Sequence, residues 1–283
     1  MSTLGGRVAL VTGASRGVGK GIALGLGEQG ATVYVTGRTE VGGSPTTPWA
    51  GSVQETAEEV TALGGRGVAI GCDHRDDEQT RQAVRQVVDD TGRLDVLVNN
   101  VWGGYEHFWD GTEFWLEAGF WTQPIDRWDS MFQAGVRAHY VTSVVAAPTM
   151  VAQGSGLIVN VSSDAADKDD AGVVYGVAKA ATDRMVACMA HDLRAHGVTA
   201  VSLHPGLVRT ESVLHAAEHF DLSDSESPQF IGRAVAALAA DPAVIRFTGQ
   251  VVRSAELGQE YGFTDVDGRR PGTGGPPYQP PTA

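Results

Sequence analysis

Tyr175 and Lys179 stand at i and i+4, a spacing that puts both side chains on one face of a helix. An ammonium beside a phenol favours the tyrosinate and draws the phenol pKa toward working pH. Such a phenol can give a proton to a carbonyl oxygen or take one from an alcohol. The apolar run before the pair ends in Ser162-Ser163, where a hydroxyl can hold the substrate oxygen. Far upstream, Thr12-Gly13-Ala14-Ser15-Arg16-Gly17-Val18-Gly19 separates a strand-like run from a helix-like stretch. A turn of this kind aims the backbone N–H groups around Ser15, Arg16, Gly17 and Val18 at an anion, together with the positive end of the helix. Glycines at 13, 17 and 19 let a pyrophosphate approach with no Cβ in the way. Singly these motifs are weak, since tight turns and Tyr-x-x-x-Lys pairs also occur without ligands. Jointly they imply hydride transfer between a nicotinamide cofactor and a carbonyl or alcohol.

The next apolar run ends Val35-Thr36-Gly37-Arg38. An NAD site has Asp or Glu near this point for the ribose hydroxyls, whereas Arg accommodates a 2′-phosphate. Arg38 and Arg16 can both make forked hydrogen bonds to one phosphate. NADP(H) is therefore expected over NAD(H), against the plainer reading of two solvated surface arginines.

The elements that must position these groups alternate along the chain. Strands are expected at 7–11, 31–36, 67–71, 95–99, 156–162, 198–203 and 249–254. Helices are expected from the glycine turn to Gln29, and from the Ser52-Val53-Gln54-Glu55 capping box to Leu63. Further helices are expected over 77–91, 128–152 and 173–196, and after the Ser227-Pro228 start signal to Ala240. This rhythm predicts an α/β fold: a single doubly wound Rossmann-type domain with a seven-stranded parallel sheet and helices on both faces. Residues 1–267 are expected to form that domain, with insertions at 41–51 and 102–126, and a Gly/Pro-rich tail at 268–283 without regular structure.

The chain has 283 residues, of which 42% are hydrophobic, enough for a large buried core. Its net charge of −13 argues against nucleic acid and anionic membranes as partners. No run approaches the ~20 apolar residues of a membrane helix. Cys72 and Cys188 alone give no disulfide framework, and strand-like residues begin at Arg7, so a soluble cytoplasmic protein is expected.

From Leu4 to about Leu257 the chain resembles the short-chain dehydrogenase/reductase family. The resemblance rests on Thr12-Gly13-x-x-x-Gly17-x-Gly19, Asp73, Asn99-Asn100, Ser162-Ser163, Tyr175-x-x-x-Lys179 and Pro205-Gly206-x-Val208-x-Thr210, in the family's order. Trp128-Asp129, Gly135 to Tyr140 and Tyr261-Gly262-x-x-Asp265-Val266-Asp267-Gly268 most resemble its dehydrogenase/reductase member 1 branch. The resemblance implies that Asp73 bonds the adenine, that Asn99 supports the cofactor ribose side and that Val101 lies at the cofactor. Tyr175 would be the general acid/base, and Lys179 would bind the nicotinamide ribose and tune Tyr175. Thr210 and the backbone near Val208 would hold the carboxamide, with Pro205 and Gly206 also at the cofactor. The family's spacing assigns the catalytic serine to Ser162. Aligning the strand Ile158-Val159-Asn160-Val161-Ser162-Ser163 favours Ser163 with one residue deleted afterwards, and strand register, which decides where a side chain points, makes Ser163 the expected one. A homodimer or homotetramer acting on a small-molecule carbonyl or alcohol is implied, with the 207–226 segment as a substrate lid.

The chain also departs from the family pattern. Asn-Asn-Ala-Gly becomes Asn99-Asn100-Val101-Trp102, placing bulk beside the cofactor. An asparagine that completes the family's proton relay is replaced by Gly135, which keeps only the backbone carbonyl. Ser254-Ala255-Glu256-Leu257 replaces the usual Asp-Gly-Gly. Tyr105, Phe108, Trp109, Phe114, Trp115, Phe120 and Trp121 crowd the 102–126 connection, as a wall of an apolar pocket or as the insertion's own packing. His215-Ala216-Ala217-Glu218-His219 matches a zinc-hydrolase motif, but no third ligand is indicated and no metal is expected. The competing reading is an NADP(H)-binding sensor or assembly subunit with little turnover.

Overall fold

The structure is a computed structural model that describes residues 3–43, 47–104 and 119–272. Its strands are β1 (Val8–Thr12), β2 (Thr32–Gly37), β3 (Arg66–Gly71), β4 (Val96–Asn99), β5 (Gly156–Val161), β6 (Val198–His204) and β7 (Val251–Arg253). All pair in parallel in the order β3-β2-β1-β4-β5-β6-β7. The order reverses between β1 and β4, which opens a crevice at the carboxyl ends of those strands.

The strand residues alternate between two buried clusters, because successive side chains point to opposite faces. Ala9 and Val11 of β1 face a cluster with Ile22 and Leu26 of α1 (Gly17–Glu28), Val60 of α2 (Val53–Ala62) and Phe230 and Leu238 of α8 (Pro228–Ala240). Val8 and Leu10 face another with Val84 and Val87 of α3 (Asp77–Thr91), Ala146 and Met150 of α5 (Ala138–Gln153), and Val186 and Ala190 of α6 (Val173–Leu193). Helices thus cover both faces, as the alternating pattern predicts. The capping box of α2 forms as read: Ser52 Oγ accepts from the Glu55 N–H, and the Glu55 carboxylate accepts from the Ser52 N–H.

Glycines inside α1 have a packing reason that offsets their cost of roughly 1 kcal/mol each in a helix interior. A Cβ on Gly21 would lie 2.1 Å from the Pro228 carbonyl, and one on Gly25 would lie 2.7 Å from Gly232 Cα. Backbone meets backbone there, so α8 sits directly on α1 and carries the base of the 207–226 segment with it.

The structure corrects the sequence reading at two elements. The helix expected over 128–152 is present, but it is not α-helical throughout. It runs as α4 (Asp126–Met131), a π-helical stretch over Phe132–Arg137, and α5. The widened turn is centred where glycine replaces a side chain, and such bulges concentrate at functional sites. The last strand is short, and Ser254 opens a helix, α9 (Ser254–Tyr261), where the sequence marked only a departure. The rings at Tyr105, Phe108, Trp109, Phe114 and Trp115, and the tail beyond 272, lie outside the described residues. Among the described residues no helix is long and apolar enough to cross a membrane.

Candidate active site

The glycine turn follows β1 at the reversal point of the sheet. Gly13 (φ 66°) and Gly17 (φ 56°) adopt left-handed conformations that a side chain resists. A Cβ on Gly19 would lie 2.3 Å from the Gly13 carbonyl, so the third glycine closes the turn against the helix. Two residues outside the expected site hold this turn to β4. Thr12 Oγ1 accepts from the Asn100 N–H (3.0 Å), and Asn100 Nδ2 donates to the carbonyls of Thr12 (3.1 Å) and Gly13 (2.9 Å). The repeated asparagine in the motif was the available signal for Asn100.

At the start of α1 the Gly17 N–H donates to Glu211 Oε1 (3.3 Å). Glu211 opens α7 (Glu211–His215), directly after Thr210, whose hydroxyl caps that helix. A carboxylate oxygen therefore stands in for an anion where the turn presents its N–H groups. No feature of the sequence pointed to Glu211, because its partner lies almost two hundred residues away.

Arg16 serves the loop as well as the site. Its guanidinium donates to the carbonyls of Gly51 (2.8 Å) and Ala50 (3.3 Å) and to Thr39 Oγ1 (3.2 Å), pinning the 47–51 segment over the turn. Burial lowers its pKa most; Glu211 opposes that shift, and the nearby Arg38 charge adds to it. The half-buried Arg38 thus lies within the field of Arg16, and the two concentrate positive charge at the end of β2. Ser15 is buried and Val18 half-buried in the turn.

Asp73, after β3, is gripped by the Arg75 side chain, with Nη2 2.6 Å and Nε 3.0 Å from its carboxylate. Burial pushes its carboxyl up, but the Arg75 hydrogen bonds outweigh this and hold it below the usual range. Asn99 is fully buried and turns its amide to Asn160 Oδ1 (2.8 Å) and Ser143 Oγ (2.9 Å). Its side chain ties β4 to β5 and α5. Val101 presents its carbonyl to His139 Nε2 (3.0 Å). His139 is buried, and burial first, then the Lys179 charge, pushes it down to about 3, so it is neutral at physiological pH.

Tyr175 and Lys179 lie one turn apart on α6, as their spacing predicts. Tyr175 is half-buried, while Lys179 is buried with its Nζ 5.7 Å from the centre of the Tyr175 ring. Burial pushes the Lys179 ammonium down to about 8, against the opposing charge of Asp183. Ser162 and Ser163 differ as strand alternation requires. Ser162 is buried and donates to the Lys179 carbonyl (3.3 Å). Ser163 is half-buried, caps the short turn at Asp164–Asp167 and accepts from the Ala165 N–H (3.2 Å).

The segment after β6 folds back on itself. Val208 bridges to Glu226, and the Gly206 N–H donates to Glu226 Oε2 (2.9 Å). Glu226 also accepts from Ser254 Oγ (2.7 Å), and burial pushes its carboxyl up to about 7. Pro205 is half-buried and Val208 buried. The His215–His219 motif does not form one helix face: α7 stops at His215, which packs on Trp49 with ring centres 4.8 Å apart. Exposed His219 pairs instead with Glu218 (3.5 Å).

The arrangement combines an anion-accepting turn, a cationic strand end and a phenol beside a buried ammonium, all at the carboxyl edge of one sheet. The short chain dehydrogenase family model matches residues 7–219. The mouse (Mus musculus) dehydrogenase/reductase SDR family member 1 is 42% identical over 278 residues, spanning 93% of this chain and 84% of the relative. Its human (Homo sapiens) counterpart is 40% identical over 280 residues, spanning 94% and 85%. A metagenomic short-chain oxidoreductase solved in complex with NADP has a TM-score of 0.69 and 29% identity, covering 89% of this chain and 99% of that one.

Proposed function

This chain belongs to the short-chain dehydrogenase family, and from that premise we propose an NADP(H)-dependent oxidoreductase that interconverts a carbonyl and an alcohol on an apolar substrate. The observation that carries the proposal is the buried Lys179 held beside the half-buried Tyr175 at the carboxyl edge of the sheet. When bound, the dinucleotide supplies or accepts the hydride.

The chain's own groups do the rest. Backbone N–H groups of the glycine turn would bind the pyrophosphate, a reading that the Glu211 carboxylate on the Gly17 N–H supports. Arg38, with Arg16 behind it, selects the 2′-phosphate, and Asp73 receives the adenine. Pro205, Gly206, Val208 and Thr210 line the nicotinamide end. Tyr175 gives its phenolic proton to the substrate oxygen as the carbonyl carbon is reduced, and takes one from the alcohol in reverse. Ser163 donates a hydrogen bond to the same oxygen. The Lys179 ammonium stabilises the tyrosinate that remains.

The exposed rings of Phe120 and Trp121, and the stacked pair Trp128–Phe132 with ring centres 4.0 Å apart, support an apolar substrate. Exposed Tyr140 and Val144 on α5, with Val173 and Val177 on α6, support a homo-oligomer built on those helices. The free Cys72 and Cys188 support a cytoplasmic site of action.

A screen of ketones and aldehydes with NADPH, run with Tyr175→Phe beside the wild type, tests this reading. Turnover should vanish in the variant while NADPH affinity stays unchanged. Retained turnover in Tyr175→Phe would refute the acid/base role. Tight NADPH binding with no turnover in the wild type would favour the sensor reading, which the glycine at 135 supports.

A further inference from the structure

Trp102 and Gly135 come from segments more than thirty residues apart, yet they are shaped to each other. A Cβ on Gly135 would lie 2.6 Å from Trp102 Cζ3 and 2.7 Å from Cε3. The indole therefore fills the space beside Gly135 that a side chain would take. The ring continues past the helix to the catalytic pair. Lys179 Nζ stands 4.1 Å from the centre of the Trp102 ring, within cation–π range. Tyr175 meets the same indole edge-on, with ring centres 5.6 Å apart at 82°. Met131 and Ala178 close the cluster around it. Glycines at 103 and 104 keep the backbone close: a Cβ on Gly103 would lie 2.7 Å from Ala134 Cβ.

We propose that Trp102 is a positioning residue for Lys179: its indole takes the place at Gly135 where a relay side chain would stand, and it holds and covers the ammonium that tunes Tyr175. The proposal rests on the oxidoreductase reading for its functional consequence, but not for its geometry. In this chain the lysine is held by a ring face, with the Val161 carbonyl as a distant acceptor at 3.5 Å.

Among the described residues, the titratable groups around Lys179 are Asp183, His139 and the Tyr175 phenol, whose ring centre lies 5.7 Å from Nζ. Asp183, on its own helix, carries an opposing charge. Burial pushes the Asp183 carboxyl up, but hydrogen bonds from His204 and Ser202 outweigh it and keep the group ionised. His139 faces Lys179 from α5 and is neutral above about pH 3. Neither changes charge near pH 8, and repeating the titration in Tyr175→Phe removes the coupled phenol, so the signal reports Lys179. Cover by the indole opposes the charged form, whereas the ring face favours it. Replacing the ring by solvent rehydrates the ammonium, which outweighs the lost cation–π contact, so the midpoint should rise.

The sequence contains only three lysines, Lys20, Lys168 and Lys179, so ¹³Cε-lysine labelling gives three resolvable signals. Lys179→Arg assigns the one of interest. In Trp102→Gly the Lys179 midpoint should rise by about one unit or more toward the ordinary lysine value. Trp102→Phe, which keeps a ring in place, should leave it near the wild-type value. Independently, Gly135→Asn should lower Tm in the wild-type background and be tolerated beside Trp102→Gly. An unchanged or lowered midpoint in Trp102→Gly, or additive effects of the two substitutions on Tm, would overturn the proposal. These readouts need no turnover. A wild type without turnover would sink the oxidoreductase reading and leave them standing. Where turnover is found, the basic limb of the kcat/KM profile should move upward with the Lys179 midpoint.

Discussion

Glu211 should weaken cofactor binding by competing for the phosphate position. Its Oε1 lies 3.3 Å from the Gly17 N–H at the first turn of α1. A carboxylate at a helix N-terminus gains about 0.3–1 kcal/mol where solvent reaches it, and Glu211 is half-buried, not enclosed. A phosphate oxygen that takes this place must displace the carboxylate and loses that amount. Glu211→Gln removes the charge and keeps the size, so NADPH affinity should rise by about 0.3–1 kcal/mol, roughly two- to fivefold in Kd. Arg16 lies in the field of Glu211, and its release toward a phosphate acts in the same direction. Fluorescence titration with NADPH reads the change, with Tm as a control for folding. Because Glu211 opens α7 within 207–226, the variant should also loosen that segment in the free protein, seen as faster amide exchange. Equal or weaker NADPH binding in Glu211→Gln would refute the competition.

Arg38→Ala should erase the proposed preference for NADPH over NADH, since a charge-assisted hydrogen bond is worth about 1.5–3 kcal/mol, or roughly ten- to a hundredfold. The same titration with both cofactors checks it. Glu226 has a folded pKa near 7, above its ordinary 4.5, so its contribution to stability is complete below pH 4.5 and is lost as pH rises to 7. Glu226→Gln should therefore gain stability over the wild type between pH 5 and 8, by at most about 3 kcal/mol; a Tm difference that stays flat with pH would count against the burial of the charge. Asp265 accepts from Arg209 Nη2 (2.8 Å) and the Ser227 N–H (2.9 Å) in a buried cluster that ties the C-terminal segment to the lid base. Asp265→Ala should cost about 3–5 kcal/mol in urea unfolding, because it leaves the Arg209 charge buried.

The sequence by itself determined the layered fold and the local chemistry. The strand and helix periods decide which faces are apolar, and capping signals such as Ser52-x-x-Glu55 act within one turn of chain. The i, i+4 spacing of Tyr175 and Lys179 sets their common face, and strand alternation separates Ser162 from Ser163. These are short-range consequences of backbone geometry, so they are legible in a string of residues. The π-helical turn at Phe132–Arg137 was not legible, since a glycine in a helical pattern carries no record of what packs beside it. Nor was the start of α9 at Ser254, because its hydroxyl answers the buried Glu226 rather than a local cap. Only the tertiary structure brought Trp102 onto Gly135 and Lys179, Glu211 onto Gly17, and Asn100 onto the glycine turn. Each joins residues far apart in the chain, and such contacts follow from how the sheet stacks its loops at one edge, which no local period encodes.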